Sequence, residues 1–269
     1  MKLAVFGSPI SHSRSPDIHQ AFAAQNGKQV DYQKILAEPN HFVTALTSFQ
    51  QAGGVGANVT VPLKELAFSL CSELSERAQQ AGAVNTLIYL PERNSWRGDN
   101  TDGAGLVADL QRLQVPITNA RVLILGAGGA VRGVIGPLLQ AGVAALHIAN
   151  RTEVKAQALA IDKVTASSLL AVGGTWDVII NGTSSGLQQQ RPDISPSLLA
   201  NQPFCYDMVY GGQLTPFLAW AKAHSCPVAD GLGMLVEQAA LSYQQWTGDK
   251  PQTAPVLDLL RTKLSASQP

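Results

Sequence analysis

Lys64 lies at an unusual place for a positively charged residue. In the stretch NVTVPLKE, residues 58–65, Pro62 suits the first position of a helix, which would put Lys64 in the first turn. The helix dipole disfavours a cation there by roughly 0.3–1 kcal/mol. An ammonium group at such a place is a candidate proton donor, or a cation that stabilises negative charge on a reacting oxygen. The alternative is an ordinary solvated lysine on a helix surface.

A glycine turn follows an apolar strand in the middle of the chain. The stretch GAGGA, residues 126–130, would let a pyrophosphate approach the backbone at the start of the next helix. The following strand ends at NRT, residues 150–152, where NAD-binding proteins carry an acidic residue for the ribose. Arginine there suits a 2′-phosphate, so Arg151 favours NADP over NAD. A solvated arginine that opens a helix is the alternative.

Composition limits the partners that these residues could serve. The 269 residues are 45% hydrophobic, enough for one large domain or two modest ones. Nineteen basic residues balance nineteen acidic ones, so no net charge attracts nucleic acid or an anionic membrane. We therefore expect a small-molecule substrate as the partner.

Cysteine and histidine usage argues against a metal site and a disulfide framework. Three cysteines form no C-x-x-C pair, and the five histidines are scattered without ligand spacing. We therefore expect no metal and a reducing, cytoplasmic location. No apolar segment reaches the roughly 20 residues of a membrane span, and the N-terminal stretch is predicted to be a strand. A homodimer is a possible assembly.

Helical and strand patterns alternate along the chain. Residues 2–7, 30–36, 56–62 and 83–90 are predicted strands, and residues 15–27 and 40–54 are predicted helices. This alternation favours a mostly parallel sheet. The pattern restarts at residues 121–151 as strand, glycine turn, helix and strand, which predicts a second sheet. Two amphipathic helices are predicted near the C-terminus, at residues 234–246 and 255–264.

Taken in order, nine short motifs resemble the shikimate dehydrogenase family over nearly the whole chain. They are SPISHSRSP, NVTVPLKE, AGAVNT, GDNTDG, GAGGA, NRT, NGTSSG, YDMVY and GLGMLVEQAA. The resemblance implies an α/β fold of two domains, with a discontinuous substrate domain, a Rossmann-like NADP domain and a cleft between them. Residues 1–101 and 237–269 would bind substrate, and residues 102–236 would bind NADP.

The resemblance also implies a reaction and a catalytic pair. The family reduces 3-dehydroshikimate to shikimate with NADPH, during which negative charge develops on the carbonyl oxygen. Lys64 would supply the proton or the charge, and Asp102 of GDNTDG would be its partner, the two titrating as one unit.

Further site residues follow from the same resemblance. Ser13 and Ser15 would hold the substrate carboxylate, although Ser15-Pro16 also suits a helix cap and first position. The remaining substrate ligands would be Thr60, Asn85, Asp102, Gln238 and Tyr210. The cofactor ligands would be Gly126, Ala127, Gly128, Gly129, Ala130, Asn150, Arg151, Thr152, Met208, Gly231 and Met234.

One segment departs from the family pattern. Between NRT and WDVIINGTSSG the chain is short, so we expect a reduced third strand near residues 161–164 and an altered contact with adenine. Two alternatives stay open. One is a quinate or dual-specificity relative, which Arg151 and Ser13 disfavour. The other is a non-catalytic NADP-binding sensor, which an intact Lys64 and Asp102 disfavour.

Overall fold

The computed structural model describes residues 1–266, which divide into two compact units. The first comprises Met1–Gly105 and Val236–Asp258, and the second comprises Leu106–Leu235 and the chain from Leu259 onward. The predicted boundaries at residues 101 and 237 lie close to these. The last helix differs, because its second half belongs to the second unit. Residues 267–269 of the predicted substrate domain lie outside the described residues.

Six strands of the first unit form a mixed sheet in the order β2-β1-β3-β5-β6-β4. The strands are β1 Lys2–Gly7, β2 Asp31–Leu36, β3 Gly54–Val59, β4 Glu73–Leu74, β5 Thr86–Leu90 and β6 Ser95–Asp99. The pairs β1–β2, β1–β3 and β4–β6 are parallel, whereas β5 runs antiparallel to both β3 and β6. The alternating pattern therefore predicted the parallel part, and the β5–β6 hairpin was missed.

Helices of the first unit pack on this sheet, and three of them begin at predicted site residues, namely Ser15, Lys64 and Asp102. They are α1 Ser15–Gln25, α2 Phe42–Gln51, α3 Lys64–Leu70 and α4 Glu76–Ala81, together with the first part of α5 Asp102–Arg112. The core on one face includes Phe6, whose ring meets Phe42 and Phe49 edge-on at 5.6 Å each. On the other face Leu3, Val5 and Tyr32 are buried.

The second unit contains an all-parallel sheet in the order β12-β11-β10-β7-β8-β9. Its strands are β7 Arg121–Leu125, β8 Ala145–Asn150, β9 Val164–Ser168, β10 Val178–Asn181, β11 Phe204–Asp207 and β12 Val228–Asp230. Its helices are α6 Gly129–Gln140, α7 Glu153–Gln157 and α8 Pro216–Ala223. The strand order reverses between β7 and β10, which is where doubly wound folds bind ligands.

Strand β9, the third of this sheet in chain order, differs from the prediction. We expected a reduced strand near residues 161–164, but β9 begins at Val164 and pairs over five residues with β8. The signal was weak because TASS offers few apolar positions, and the strand is instead defined by its pairing with β8. The shortening of the chain between NRT and WDVIINGTSSG falls in helix α7, which has only five residues.

Two long helices complete the chain. They are α9 Leu232–Thr247 and α10 Ala254–Ala266, and they agree with the two predicted amphipathic helices. The first turn of α9 belongs to the second unit, and Gln238 lies further along it in the first unit. Among residues 1–266, no helix is long and apolar enough to cross a membrane.

Candidate active site

Lys64 and Asp102 form an ion pair in the first unit. Lys64 is the first residue of α3, and its Nζ lies 2.5 Å from Oδ2 of Asp102 at the start of α5. The lysine side chain is 21% exposed and the aspartate side chain 12%. The expected helix start at Pro62 was wrong, since the helix begins two residues later. Lys64 nevertheless lies in the first turn, as predicted, where the aspartate offsets the unfavourable helix dipole.

Asn85 holds the second oxygen of Asp102. Its two Nδ2 hydrogens are shared among three acceptors, Asp102 Oδ1 at 2.8 Å, Gln238 Oε1 at 3.1 Å and Thr101 Oγ1 at 2.9 Å. Its Oδ1 accepts the Thr101 backbone N–H at 2.9 Å and the Thr86 hydroxyl at 2.8 Å. Asn85 is therefore held by its neighbours, and it brings strand β5, helix α5 and helix α9 to one place.

A second buried layer supports Asn85 from behind. Asn58 donates to the Asn85 carbonyl at 3.2 Å and to Ser242 Oγ at 3.1 Å, and accepts the Tyr32 hydroxyl at 2.7 Å. Its Oδ1 also accepts from His19 Nε2 at 3.1 Å. Burial lowers the pKa of His19 to about 3, although the hydrogen bond to Asn58 opposes that shift. His19 is therefore neutral at working pH, and Asn58 is a structural residue of the site.

The loop that carries Asp102 is held by the buried carboxylate of Asp99. Asp99 accepts two hydrogen bonds from Arg77 at 2.7 and 2.5 Å and one from Gln245 at 2.6 Å. Three residues on, the Asp102 N–H donates to Asn100 Oδ1 at 3.1 Å. Burial would raise the pKa of Asp99, but the bonds and charge of Arg77, with the bond from Ser75, bring it below its ordinary value.

Ser13, Ser15 and Thr60 lie elsewhere in the first unit. Ser15 is the first residue of α1 and Arg14 its cap, so the expected cap at Ser15 was wrong by one residue. The Ser13 hydroxyl accepts the Ser15 N–H at 3.3 Å and donates to the Ser15 hydroxyl at 3.2 Å. Thr60 follows β3, with its backbone N–H on the Phe6 carbonyl at 2.9 Å. The serine pair therefore already has a local structural role.

The glycine turn lies at the carboxyl end of β7 in the second unit. Gly126 has a φ of 106° and approaches Gly182 after β10, so a Cβ there would lie 3.1 Å from the Gly182 backbone. A Cβ on Gly128 or Gly129 would meet nothing within 4 Å, so the backbone is open to a ligand. The turn leads into α6, of which Gly129 and Ala130 are the first residues. Backbone N–H groups at this helix start suit a phosphate.

The NRT stretch ends the neighbouring strand β8. Asn150 Nδ2 donates to the Thr152 carbonyl at 2.8 Å, which holds the turn, and Arg151 between them is exposed. The Leu169 N–H donates to the Asn150 carbonyl at 3.2 Å, so the end of β9 lies beside this turn. These positions fit the phosphate-bearing side of a dinucleotide.

Met208, Gly231 and Met234 come from two segments of the second unit. Met208 follows β11, and a Cβ on Gly231 would lie only 2.2 Å from its carbonyl oxygen. Met234 follows in the first turn of α9. Tyr210 also follows β11, so it lies in the second unit, whereas the other predicted substrate ligands lie in the first.

Several buried polar residues around the two sites were not among the predicted site residues. Asp207 accepts from Asn181, Thr215 and the Val209 N–H at 3.1, 2.6 and 3.0 Å, and burial raises its pKa. In the first unit Asp99, Thr101 and Ser242 were missed in the same way. For Asp207 the available signal was a polar residue at the end of the apolar strand FCYD. Asp99 instead ends SWRGD, a strand with few apolar residues, and Ser242 lies within helix α9, so neither residue gave such a signal.

Comparison with known proteins shows which family the chain is similar to. Three family models match: the shikimate dehydrogenase substrate binding domain at residues 5–87, shikimate / quinate 5-dehydrogenase at 109–190 and the shikimate 5′-dehydrogenase C-terminal domain at 231–261. The shikimate dehydrogenase (NADP(+)) of Alcanivorax borkumensis is 51% identical, covering 96% of this chain and 95% of that protein. Its counterpart in Shewanella halifaxensis is also 51% identical, covering 98% and 96%.

A solved structure gives the same result. Shikimate 5-dehydrogenase from Thermus thermophilus, in complex with NADP(H) and shikimate, matches with a TM-score of 0.89 and 33% identity, covering 98% of this chain and all of that one. The similarity therefore extends over both units and the segments that join them. The chain belongs to the shikimate dehydrogenase family.

Proposed function

We propose that this chain reversibly reduces 3-dehydroshikimate to shikimate with NADPH, a step towards chorismate and the aromatic amino acids. The observation that carries the proposal is the Lys64–Asp102 pair at 2.5 Å, with Asn85 bonded to both Asp102 and Gln238. A chain that had kept only the fold would not need a cation, a carboxylate and two amides gathered in this way. The close relatives are named for this activity with NADP(+).

The residues of the first unit suit the proton transfer. NADPH, when bound, would supply the hydride to the carbonyl carbon. Lys64 donates a proton to the oxygen that becomes the hydroxyl and takes it back in the reverse direction. Asp102 holds the ammonium group in place, and Asn85 fixes the orientation of that carboxylate. Because both are part of the same hydrogen-bonded cluster, Lys64 and Asp102 act as one unit.

The first unit offers most of the ligands proposed for a small polyhydroxylated ring. We assign the ring hydroxyls to Thr60, Asn85, Asp102 and Gln238, and the carboxylate to Ser13 and Ser15 with Tyr210. Asn85 and Gln238 are amides that both donate and accept hydrogen bonds, as hydroxyl recognition requires. The first unit is accordingly the proposed substrate domain.

The second unit is the proposed NADP domain. The open backbone at Gly128 and Gly129 fits a pyrophosphate, because no side chain occupies the space above it. Arg151 is exposed beside this edge of the sheet and fits a 2′-phosphate, which distinguishes NADP from NAD. Gly126, Ala127, Ala130, Asn150 and Thr152 complete this side. Met208, Gly231 and Met234 are assigned to the nicotinamide side.

We also propose a cytoplasmic location and a homodimer. The three cysteines are free, and the thiols of Cys205 and Cys226 interact in the core without forming a disulfide. Such neighbouring free thiols suit a reducing compartment.

Light scattering during gel filtration tests the assembly, and a monomeric mass would refute the homodimer.

Replacing Lys64 tests the proposed function directly. Lys64→Ala should lower kcat for shikimate oxidation by roughly 10²–10⁴, with much less effect on the shikimate KM. Lys222→Ala on α8 is the matched control, since that lysine is helical and exposed in the second unit. The assay follows NADPH absorbance with shikimate and NADP+. Equal rates for wild type and Lys64→Ala would refute the mechanism.

A further inference from the structure

The first turn of helix α9 has two of its backbone N–H groups bonded by side chains, one of them near in sequence and the other distant. The first N–H groups of a helix have no partner within it and must find one elsewhere. Leu232 N–H donates to Asp230 Oδ1 at 3.2 Å, and Met234 N–H donates to the Tyr206 hydroxyl at 3.3 Å. Tyr206 lies on strand β11, so a side chain from the sheet caps a helix that begins 26 residues later in the chain.

Tyr206 holds its place through a second hydrogen bond. Its hydroxyl donates to Asp109 Oδ2 at 2.7 Å, and the other oxygen of Asp109 accepts from Arg112 at 2.9 and 2.7 Å. Tyr206 is fully buried and Asp109 is 1% exposed. Burial and the nearby Asp109 charge place the pKa of Tyr206 well above its ordinary value, so the phenol stays protonated. One hydroxyl therefore links α5 to the first turn of α9 within the second unit.

The turn fits closely against these groups. A Cβ on Gly233 would lie 2.0 Å from Asp109 Oδ1, and a Cβ on Gly231 would lie 2.2 Å from the Met208 carbonyl. Both distances are far below van der Waals contact, so the turn rests directly on Asp109 and on the loop after β11. A small displacement of Asp109 or Tyr206 would therefore act directly on Gly233 and Met234, and would reach Gly231 through the turn.

From these contacts we infer that Tyr206 is a positioning residue for the nicotinamide side of the NADP site, acting through Met234 and the turn Gly231–Met234. The inference rests on the proposed function, which assigns Gly231 and Met234 to the nicotinamide. Asp109 acts one step further away, because it orients the tyrosine hydroxyl. Neither residue touches the reacting atoms.

The isosteric change Tyr206→Phe removes only the hydroxyl. It should weaken NADP+ binding about 3- to 10-fold, since a neutral hydrogen bond contributes modestly and the bond to Met234 is long. Tyr243→Phe is the matched control, because Tyr243 is equally buried and lies on the same helix but in the first unit. Asp109→Asn is the second variant and should show the same pattern.

A ligand without nicotinamide makes the test specific. We would measure the Kd of NADP+ and of adenosine 2′,5′-bisphosphate for each protein by calorimetry, with thermal melts alongside. The inference predicts weaker NADP+ binding by Tyr206→Phe and a bisphosphate Kd within twofold of wild type. Unchanged NADP+ binding, or equal loss for both ligands, would overturn it. Wild-type protein that binds NADP+ but oxidises no shikimate would refute the proposed function and leave this comparison valid.

Discussion

Asp99 offers the sharpest test of how the catalytic loop is held. It ends strand β6, three residues before Asp102, and is 2% exposed. Its Oδ1 accepts from Ser75, from Arg77 Nε and from the Asn100 N–H at 2.5, 2.7 and 2.7 Å, while its Oδ2 accepts from Arg77 and Gln245. Every bond is accepted by the carboxylate, so Asp99→Asn must point an amide NH₂ at groups that donate.

The number of hydrogen bonds that Asp99→Asn loses determines how far the variant is destabilised. If the NH₂ replaces Oδ2, the bonds from Arg77 and Gln245 are lost, and a hydrogen bond to a charged group contributes about 1.5–3 kcal/mol. The Arg77 side chain is 31% exposed, so water compensates part of the loss. We therefore expect the free energy of unfolding to fall by about 2–4 kcal/mol, and Tm by about 5–15 °C. The kcat should fall as well, because Asp102 loses its fixed loop.

The pH dependence of the Tm difference separates the effect of the Asp99 charge from the effect of the side chain's shape. The folded pKa of Asp99 lies below its ordinary value, so its stabilisation is complete above about pH 4 and is lost as pH falls through the folded pKa. The Tm difference between wild type and Asp99→Asn should therefore be constant from pH 8 to 5 and shrink below pH 4. Asp31→Asn, at an exposed aspartate, is the control and should stay within about 0.5 kcal/mol. A variant with wild-type Tm at pH 7 would refute the reasoning.

The other predictions concern the proposed ligands. Asp102→Asn should be slow, and the double mutant with Lys64→Ala should be little slower than the slower single mutant, whereas multiplicative losses would mean separate action. Arg151→Ala should weaken NADPH binding by about 1.5–3 kcal/mol and NADH binding little, and equal losses would contradict the 2′-phosphate contact. Ser13→Ala and Ser15→Ala should each raise the shikimate KM with the NADP+ KM unchanged. A lower Tm with an unchanged shikimate KM would leave only the local hydrogen bond between the serines.

Local physics was enough to predict some features of this chain. The GAGGA turn, the strand before it and the helix after it depend on residues close in sequence, and each forms as expected. Lys64 in a first helical turn was predicted for the same reason, although the helix starts later than Pro62 suggested. The position of Asn150 and Arg151 at the end of β8 also followed from the pattern.

Contacts over long sequence separations could not be predicted in this way. Lys64 and Asp102 are 38 residues apart, and Asn85 and Gln238 are 153 apart. The first contact depends on the β5–β6 hairpin, which leads to Asp102, and the second depends on the return of α9. SWRGD has too few apolar residues to indicate the second strand of that hairpin. The family resemblance supplied these residues, because it carries tertiary information that residue patterns lack.

Buried supporting groups were the least predictable. In the sequence, Asp99, Arg77 and Asp109 resemble ordinary surface charges, and Tyr206 resembles a core aromatic residue. The structure instead pairs Asp99 with Arg77 and bonds Tyr206 to Asp109. Their role appears only once neighbouring elements are packed, since burial turns a common side chain into a hydrogen-bonded support.

The most direct test is an initial-rate matrix with wild-type protein, measuring the oxidation of shikimate and of quinate with NADP+ and with NAD+. We predict rapid shikimate oxidation with NADP+, a kcat/KM for NAD+ lower by at least about tenfold because Arg151 loses its 2′-phosphate partner, and little quinate oxidation. Quinate oxidised as well as shikimate, equal use of NAD+, or no NADPH formation with shikimate would contradict the proposed function.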